Sequence, residues 1–153
     1  MIKEYVLQNW PLILVLSAFA IALHITVFLD RTTIRRLYVL IAGVFLLSLV
    51  VFTEFEYAAH ADEHMLRAVL MAIRYSATPF IVAQIIYTLI KKQSWYIFIP
   101  AIVLTVIDVV SIFTGIVFRV EPDNSFARGV LGYLPFVVAG IYCVILVYLL
   151  LKR

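Results

Sequence analysis

Five long apolar runs, separated by short polar connections, make up most of the chain. The first extends from about Trp10 to Leu29, the second from about Leu37 to Thr53, and the third, less clean, from about Ala68 to Ile90. The fourth extends from about Trp95 to Phe118 and the fifth from about Val130 to Leu151. A helix crosses the hydrocarbon core of a bilayer with about 20 mostly apolar residues, so each run predicts a transmembrane helix. No repeat, low-complexity segment or linker interrupts the series. The expectation is an all-α polytopic membrane protein, one domain over residues 1–153, folded as a five-helix bundle.

Composition strengthens this reading. Hydrophobic residues are 65% of the chain and charged residues 14%, whereas soluble domains are about 45–50% apolar and about 25% charged. A water-soluble globule is thereby excluded. The lone Cys143 lies in an apolar run and permits no internal disulfide. Glu4 weakens a positive leader region and no small-residue cleavage site follows the first run, so a removable signal peptide is not expected.

The connections alternate in charge. "DRTTIRR" carries Arg31, Arg35 and Arg36, "KKQS" carries Lys91 and Lys92, and the chain ends Lys152-Arg153. The other two loops hold Glu54, Glu56, Asp62 and Glu63, then Glu121 and Asp123. Lys and Arg accumulate on the cytoplasmic side of membrane spans. The expected topology therefore has the N-terminus outside, the C-terminus cytoplasmic and the basic loops inside. The net charge of +3 then reads as orientation and lipid contact. Nucleic acid is not an expected partner, because no basic groove with stacking aromatic residues is evident.

Trp10 and Trp95 fall at expected span starts on opposite faces, where amphipathic rings collect. Pro11 falls near a helix start and Pro100 in the first turns of the fourth span, where a missing N–H costs little. Pro79 and Pro135 are expected deeper, where each removes a backbone hydrogen bond and can kink its helix.

Ionisable residues inside a span cost roughly 2.5–3.5 kcal/mol each on insertion scales and face the bundle interior. Two stand out. By helical rise, Arg74 lies about 7–8 Å below the outer surface and Asp108 about 15 Å below it. Adjacent antiparallel spans make Arg74 the expected partner of Asp108. The structural alternative is a protonated Asp108 hydrogen-bonded to Ser111 or Thr105. His24, expected mid-span in the first helix, reads as an interhelical hydrogen-bonding residue, with a pH-sensing role as the alternative because histidine is the side chain suited to one.

The stretch "FTEFEYAAHADEHMLRAVLMAIRY", residues 52–75, concentrates four acids, two histidines and two arginines. Glu56, His60 and His64 are spaced i, i+4, i+8, which on one helix forms a stripe that could hold a metal. "HADEH" also fits H-x-x-E-H, a pattern of one class of zinc peptidases. A peptidase needs a third ligand, an open coordination position and a cleft, and no loop here is large enough to supply one. The middle acids, both histidines and Arg67 are expected to be solvated surface, and no metal or cofactor is expected.

Glu54 and Arg74 are different, because they close the second span and open the third on the same side. With Asp108 and Arg119 they are expected to converge below the outer loops. Tyr57, Tyr75 and Tyr133 would add aromatic walls to an apolar pocket with a few fixed polar groups, the form of a small-molecule site. Catalytic and phosphate-binding motifs are missing: no Ser–His–Asp spacing is evident and the five glycines are scattered. The expectation is not an enzyme.

The segment from Pro100 to Arg153 resembles the amino-terminal membrane region of bacterial signalling proteins, chiefly GGDEF diguanylate cyclases, with relatives on histidine kinases. Pro100 opens a helix, and a polar residue, Asp108, follows mid-helix where that family often has Asn. Gly115 and Phe118 then lead to a loop with Asp123, Asn124, Phe126, Arg128 and Gly129, and the next helix carries Tyr133 and Tyr142. Upstream, Tyr75 and Pro79 in "RYSATPF" match a Y-x-x-x-P pattern in the third span. The resemblance covers about the last two thirds of the chain. It implies a sensory input module of the bacterial cytoplasmic membrane that works as a homodimer. The signal would pass to a cytoplasmic output domain, a cyclase or kinase, that is absent from this chain. The expected ligand-binding residues are Glu54, Arg74, Tyr75, Asp108, Arg119, Arg128 and Tyr133. A small proton- or ion-coupled transporter titrating at Asp108, a metal-dependent membrane enzyme and a ligand-free scaffold subunit are the other classes.

Overall fold

A computed structural model describes residues 2–58, 64–90 and 95–152. Five helices follow one another: α1 (Ile2–Ile25), α2 (Arg31–Ala58), α3 (His64–Leu89), α4 (Ile99–Thr114) and α5 (Leu134–Leu151). A single 3₁₀ turn, Trp95–Phe98, leads into α4. All five, with that turn counted in α4, are long and apolar enough to cross a membrane, as a multi-pass membrane protein requires. Large apolar side chains face outward, with Phe113 80% and Val144 70% exposed. Water would penalise that surface and lipid does not. The departure from a purely helical chain is a small antiparallel hairpin between α4 and α5. Its strands are β1 (Phe118–Val120) and β2 (Phe126–Arg128), with Phe118 opposite Arg128 and Val120 opposite Phe126.

Most helix limits differ from those expected, and capping or local packing accounts for several of them. Asp30 caps α2: its Oδ2 accepts the Thr33 amide at 3.0 Å and its Oδ1 the Thr33 hydroxyl at 2.7 Å. That cap starts α2 at Arg31, before the apolar run begins. α1 starts at Ile2 because Tyr5 is buried there against Phe45 and Phe52 and hydrogen-bonded to Ser48 at 2.5 Å. Pro11 and Trp10 therefore lie inside α1, and His24 falls in its last turn instead of mid-span. α4 stops at Thr114 because Gly115 adopts φ 68° and its amide returns to the Ser111 carbonyl at 2.8 Å. A left-handed residue after the last turn is a standard helix stop. Pro135 sits in the first turn of α5 and not deep within it, where proline costs no helical hydrogen bond. Pro79 does lie inside α3.

α3 is the centre of the bundle and packs on α2, α4, α5 and β1, while α1 packs on α2 alone among the described elements. Small residues let the helices approach. Ala68 and Ala72 sit in a core with Met71, Val117 and Phe118 beneath the hairpin. Ala83 and Ala101 sit in a second core with Ile86 and Tyr142 toward the other end. Close backbone approach through small side chains is the usual way helices associate in lipid, where burial of apolar surface alone supplies no drive. At that second end Arg36 donates to the Tyr87 carbonyl and hydroxyl, both at 3.1 Å, and lies 4.0 Å from the Tyr87 ring centroid. This basic side chain ties α2 to α3 as well as marking the basic end.

The hairpin is laced to α4. The buried Ser111 hydroxyl accepts the amides of Val117 at 2.9 Å and Phe118 at 3.0 Å and donates to the Phe118 carbonyl at 3.1 Å. One side chain thus satisfies three backbone groups that would otherwise be orphaned. At the hairpin tip, hydrogen bonds from the Ser125 hydroxyl and amide hold the Asp123 carboxyl below its ordinary value. Gly129 closes the base, its amide bonded to the Val117 carbonyl at 3.0 Å. A Cβ at Gly129 would meet the Ile116 and Gly115 carbonyl oxygens at 2.1 and 2.2 Å. Gly129→Ala is expected to destabilise the protein by about 1–3 kcal/mol, the range for overpacked sites. Thermal unfolding in detergent measures it, and an unchanged midpoint would show that the hairpin base can open without cost.

Candidate functional site

The end of the bundle that carries the hairpin also holds a buried ionic cluster. Glu54 lies one turn before the end of α2 and is only 3% exposed. Arg67 and Arg74, seven residues apart on α3, stand two turns apart on one helix face. Both reach Glu54. Arg67 Nε donates to Oε1 at 3.2 Å and Arg74 Nη1 donates to Oε2 at 2.8 Å. Arg67 also donates through Nη1 to the Asn124 carbonyl in the hairpin turn. Asn124 has φ 64° and directs its side-chain amide to the Tyr57 carbonyl at 2.7 Å and the Ala58 carbonyl at 3.3 Å. These are terminal carbonyls of α2 that no later turn of the helix can satisfy. Glu54, Arg67 and Asn124 therefore join α2, α3 and the hairpin into one polar knot.

A cavity of about 360 Å³ opens beside the knot. Glu54, Arg67, Arg74 and Arg128 supply its charged lining. Phe55, Tyr75, Phe126 and Phe136 supply aromatic walls. Tyr75 stacks on Phe118 at 5.6 Å between ring centroids and meets Phe136 edge-on at 6.1 Å. Arg128 is held over the rings of Tyr133 at 4.9 Å and Phe136 at 5.8 Å. Cation–π contacts orient a guanidinium without neutralising it.

Of the residues expected to form one site, Glu54, Arg74, Tyr75 and Arg128 line this cavity. Tyr133 stands behind Arg128, outside the lining, and is 65% exposed. Arg119 is elsewhere. It lines a separate cavity of about 330 Å³ with His64 and Ser111 and pairs with Glu121 at 3.0 Å. The alternation of β1 turns Phe118 inward and Arg119 outward.

The expected Arg74–Asp108 ion pair does not form. Asp108 is fully buried, and its Oδ2 accepts a hydrogen bond from the Ser76 hydroxyl at 2.9 Å. Ser76 is two residues beyond Arg74, so the two point about 200° apart around α3 at 3.6 residues per turn. Arg74 faces α2 while Asp108 packs on the opposite side of α3. Ser111 and Thr105, the alternative partners, bond backbone groups instead. The Oδ1 atom of Asp108 has no hydrogen-bond partner among the described residues.

The stripe of Glu56, His60 and His64 is also corrected. Glu54 contacts Arg67 directly, whereas thirteen residues of continuous helix would separate them by about 20 Å. The chain therefore reverses between α2 and α3, and Glu56 and His64 belong to different helices. Glu56 borders a groove between α1 and α2, and His64 borders the Arg119 cavity. His60, Asp62 and Glu63 lie outside the described residues. Among the described residues no group of three or more His, Cys, Asp or Glu is placed to hold a metal.

Arg67, expected at the surface, is 12% exposed in its side chain and belongs to the knot. Its seven-residue spacing from Arg74, opposite the acidic end of α2, was the available signal. Asn124 and Ser76 carried none beyond a turn-forming tetrapeptide and a small polar residue.

Compared with protein-family models, curated proteins and solved structures, the chain finds no match in any of the three.

The knot yields a differential expectation. Glu54→Gln leaves the nearly buried Arg67 without its counter-charge and should cost about 3 kcal/mol, the low end for breaking a buried pair. Arg74→Gln leaves Glu54 paired with Arg67 and removes a cation that is 40% exposed, so a loss of about 1 kcal/mol is expected. Equal losses in detergent unfolding would show that Arg67 does not depend on Glu54.

Proposed function

We infer that this chain is a membrane sensory input module that binds a small extracellular ligand in the cavity at its hairpin end. One observation carries the reading: a single cavity is bounded by α2, α3, the hairpin and the first turn of α5. A ligand there touches the central helix and the last helix at once. It acts as a signal if it favours one arrangement of those helices over another by a few kcal/mol. The last helix would carry the change to a cytoplasmic output domain, a diguanylate cyclase or kinase, with a homodimer as the working unit. The resemblance of the Pro100–Arg153 segment to bacterial signalling proteins supports that output and a bacterial cytoplasmic membrane.

The orientation follows from charge. Arg31, Arg35 and Arg36 at the start of α2 and Lys152 at the end of α5 lie at the end opposite the hairpin. The positive-inside rule puts that end in the cytoplasm and the cavity outside. In a Cys143→Ser background, Ala127→Cys should react with a membrane-impermeant maleimide in intact cells and Lys152→Cys should not. The reverse pattern overturns the orientation.

A second reading, a small proton- or ion-coupled transporter, is favoured by the buried Asp108, one of whose oxygens has no hydrogen-bond partner among the described residues, since intramembrane acids often lie on ion pathways. A small-molecule screen by thermal shift separates the two. A ligand at 100 times its Kd adds about 2.7 kcal/mol, or about 5–10 °C in a chain of this size. The sensor reading expects such a shift in the parent protein, reduced in Arg74→Gln. No shift, together with proteoliposome flux that Asp108→Asn abolishes, would replace it with transport.

A further inference from the structure

The charge balance of the cavity specifies what it would hold. Three guanidinium groups and one carboxylate line it. Glu54 spends both of its oxygens on Arg67 and Arg74. Arg67 spends Nε on Glu54 and Nη1 on the Asn124 carbonyl. Arg74 uses Nη1 alone, and its remaining N–H groups have no acceptor among the described residues. Among the described residues Arg128 forms no ion pair, and aromatic faces hold it. Two oriented, incompletely paired guanidiniums thus border a cavity whose single acid is already committed. A guanidinium presents a planar fork of donors that suits carboxylate and phosphate oxygens. A cationic ligand would find excess positive charge and no free carboxylate.

The rest of the lining is aromatic, with Phe55, Phe126 and Phe136 facing the same space. The volume of about 360 Å³ lies at the small end of the range of roughly 300–1,000 Å³ for ligand pockets. We propose that the cavity binds a small organic anion, its oxyanion held by Arg74 and Arg128 and its apolar body against the three phenylalanines. This rests on the reading of the cavity as a ligand site and narrows the ligand to one chemical class. A soluble organic acid and the headgroup of an anionic lipid share that chemistry.

The test uses the full chain purified in nonionic detergent. Benzoate, octanoate and phenyl phosphate are titrated by thermal shift and calorimetry. Benzamide serves as the uncharged isostere and benzylamine as the cationic one. A parallel arm places the protein in phosphatidylcholine nanodiscs with and without phosphatidylglycerol. Arg128→Gln is the main variant, because Arg128 is exposed and outside the ionic knot. Arg128→Lys retains the charge without the fork, and circular dichroism confirms that both fold.

At least one soluble anion is expected to stabilise the parent protein, with affinity at least tenfold weaker in Arg128→Gln and benzamide silent. Stabilisation only by phosphatidylglycerol, lost in Arg128→Gln, also supports the anion site but makes lipid the source and removes the soluble-ligand sensor. Benzamide or benzylamine binding that Arg74→Gln weakens, with all anions silent, keeps the ligand site and overturns its anion preference. Anion binding unchanged in Arg128→Gln overturns the proposed contacts. Silence of every probe in both arms overturns the anion site.

Discussion

The hairpin end of this protein depends on one carboxylate. Glu54 is nearly buried and shared by two arginines from the next helix. An isolated buried carboxylate would be driven to neutralise, and isolated buried guanidiniums would be costly in the same way. Glu54 and Arg67 are acceptable there only as a pair, and the partly exposed Arg74 adds a second partner to the carboxylate. Their grouping sets the register of α2 against α3, because only one alignment brings Glu54 between two arginines seven residues apart. Through Arg67 and Asn124 it also sets where the hairpin lies. The cavity is the space that remains when those three elements are fixed.

The hairpin matters because it converts a loop into a wall. A nineteen-residue connection between two spans would ordinarily cost considerable entropy to order. Here the Ser111 hydroxyl and Gly115 fasten its base to α4, Gly129 closes that base onto Val117, and Asn124 fastens its tip to α2. Phe126 and Arg128 are presented to the cavity by strand pairing and not by a flexible tether. The polar knot and the laced hairpin thus place the charged and aromatic lining on parts of the chain whose backbone hydrogen bonds are satisfied.

The five helices and their order were legible from hydropathy, because a bilayer demands unbroken apolar length. Their ends were not, because Asp30, Gly115 and Asn124 act through hydrogen bonds and backbone conformation that hydropathy does not register. The same distinction governs the site. Depth along the helices correctly grouped Glu54, Arg74, Tyr75 and Arg128 near one end. It could not assign direction around a helix, so Asp108 was matched with Arg74 although its partner, Ser76, is two residues away on the other side of α3. Arg119 and Tyr133 lie outside the cavity lining, Arg119 on the outward face of β1 and Tyr133 stacked with Arg128. Arg67 was hidden by its place in the sequence just after the acids Asp62 and Glu63.

Among the described elements α1 packs on α2 alone, and it contributes no residue to the cavity lining. The chain is therefore built as a four-helix core that carries the chemistry, with an outrigger along one flank. Sequence drift in that outrigger can alter how the molecule sits in its lipid environment, or which neighbours it meets, without disturbing the arginines, the knot or the hairpin. The lipid-facing flank and the cavity-bearing core are in this way separate parts of the fold.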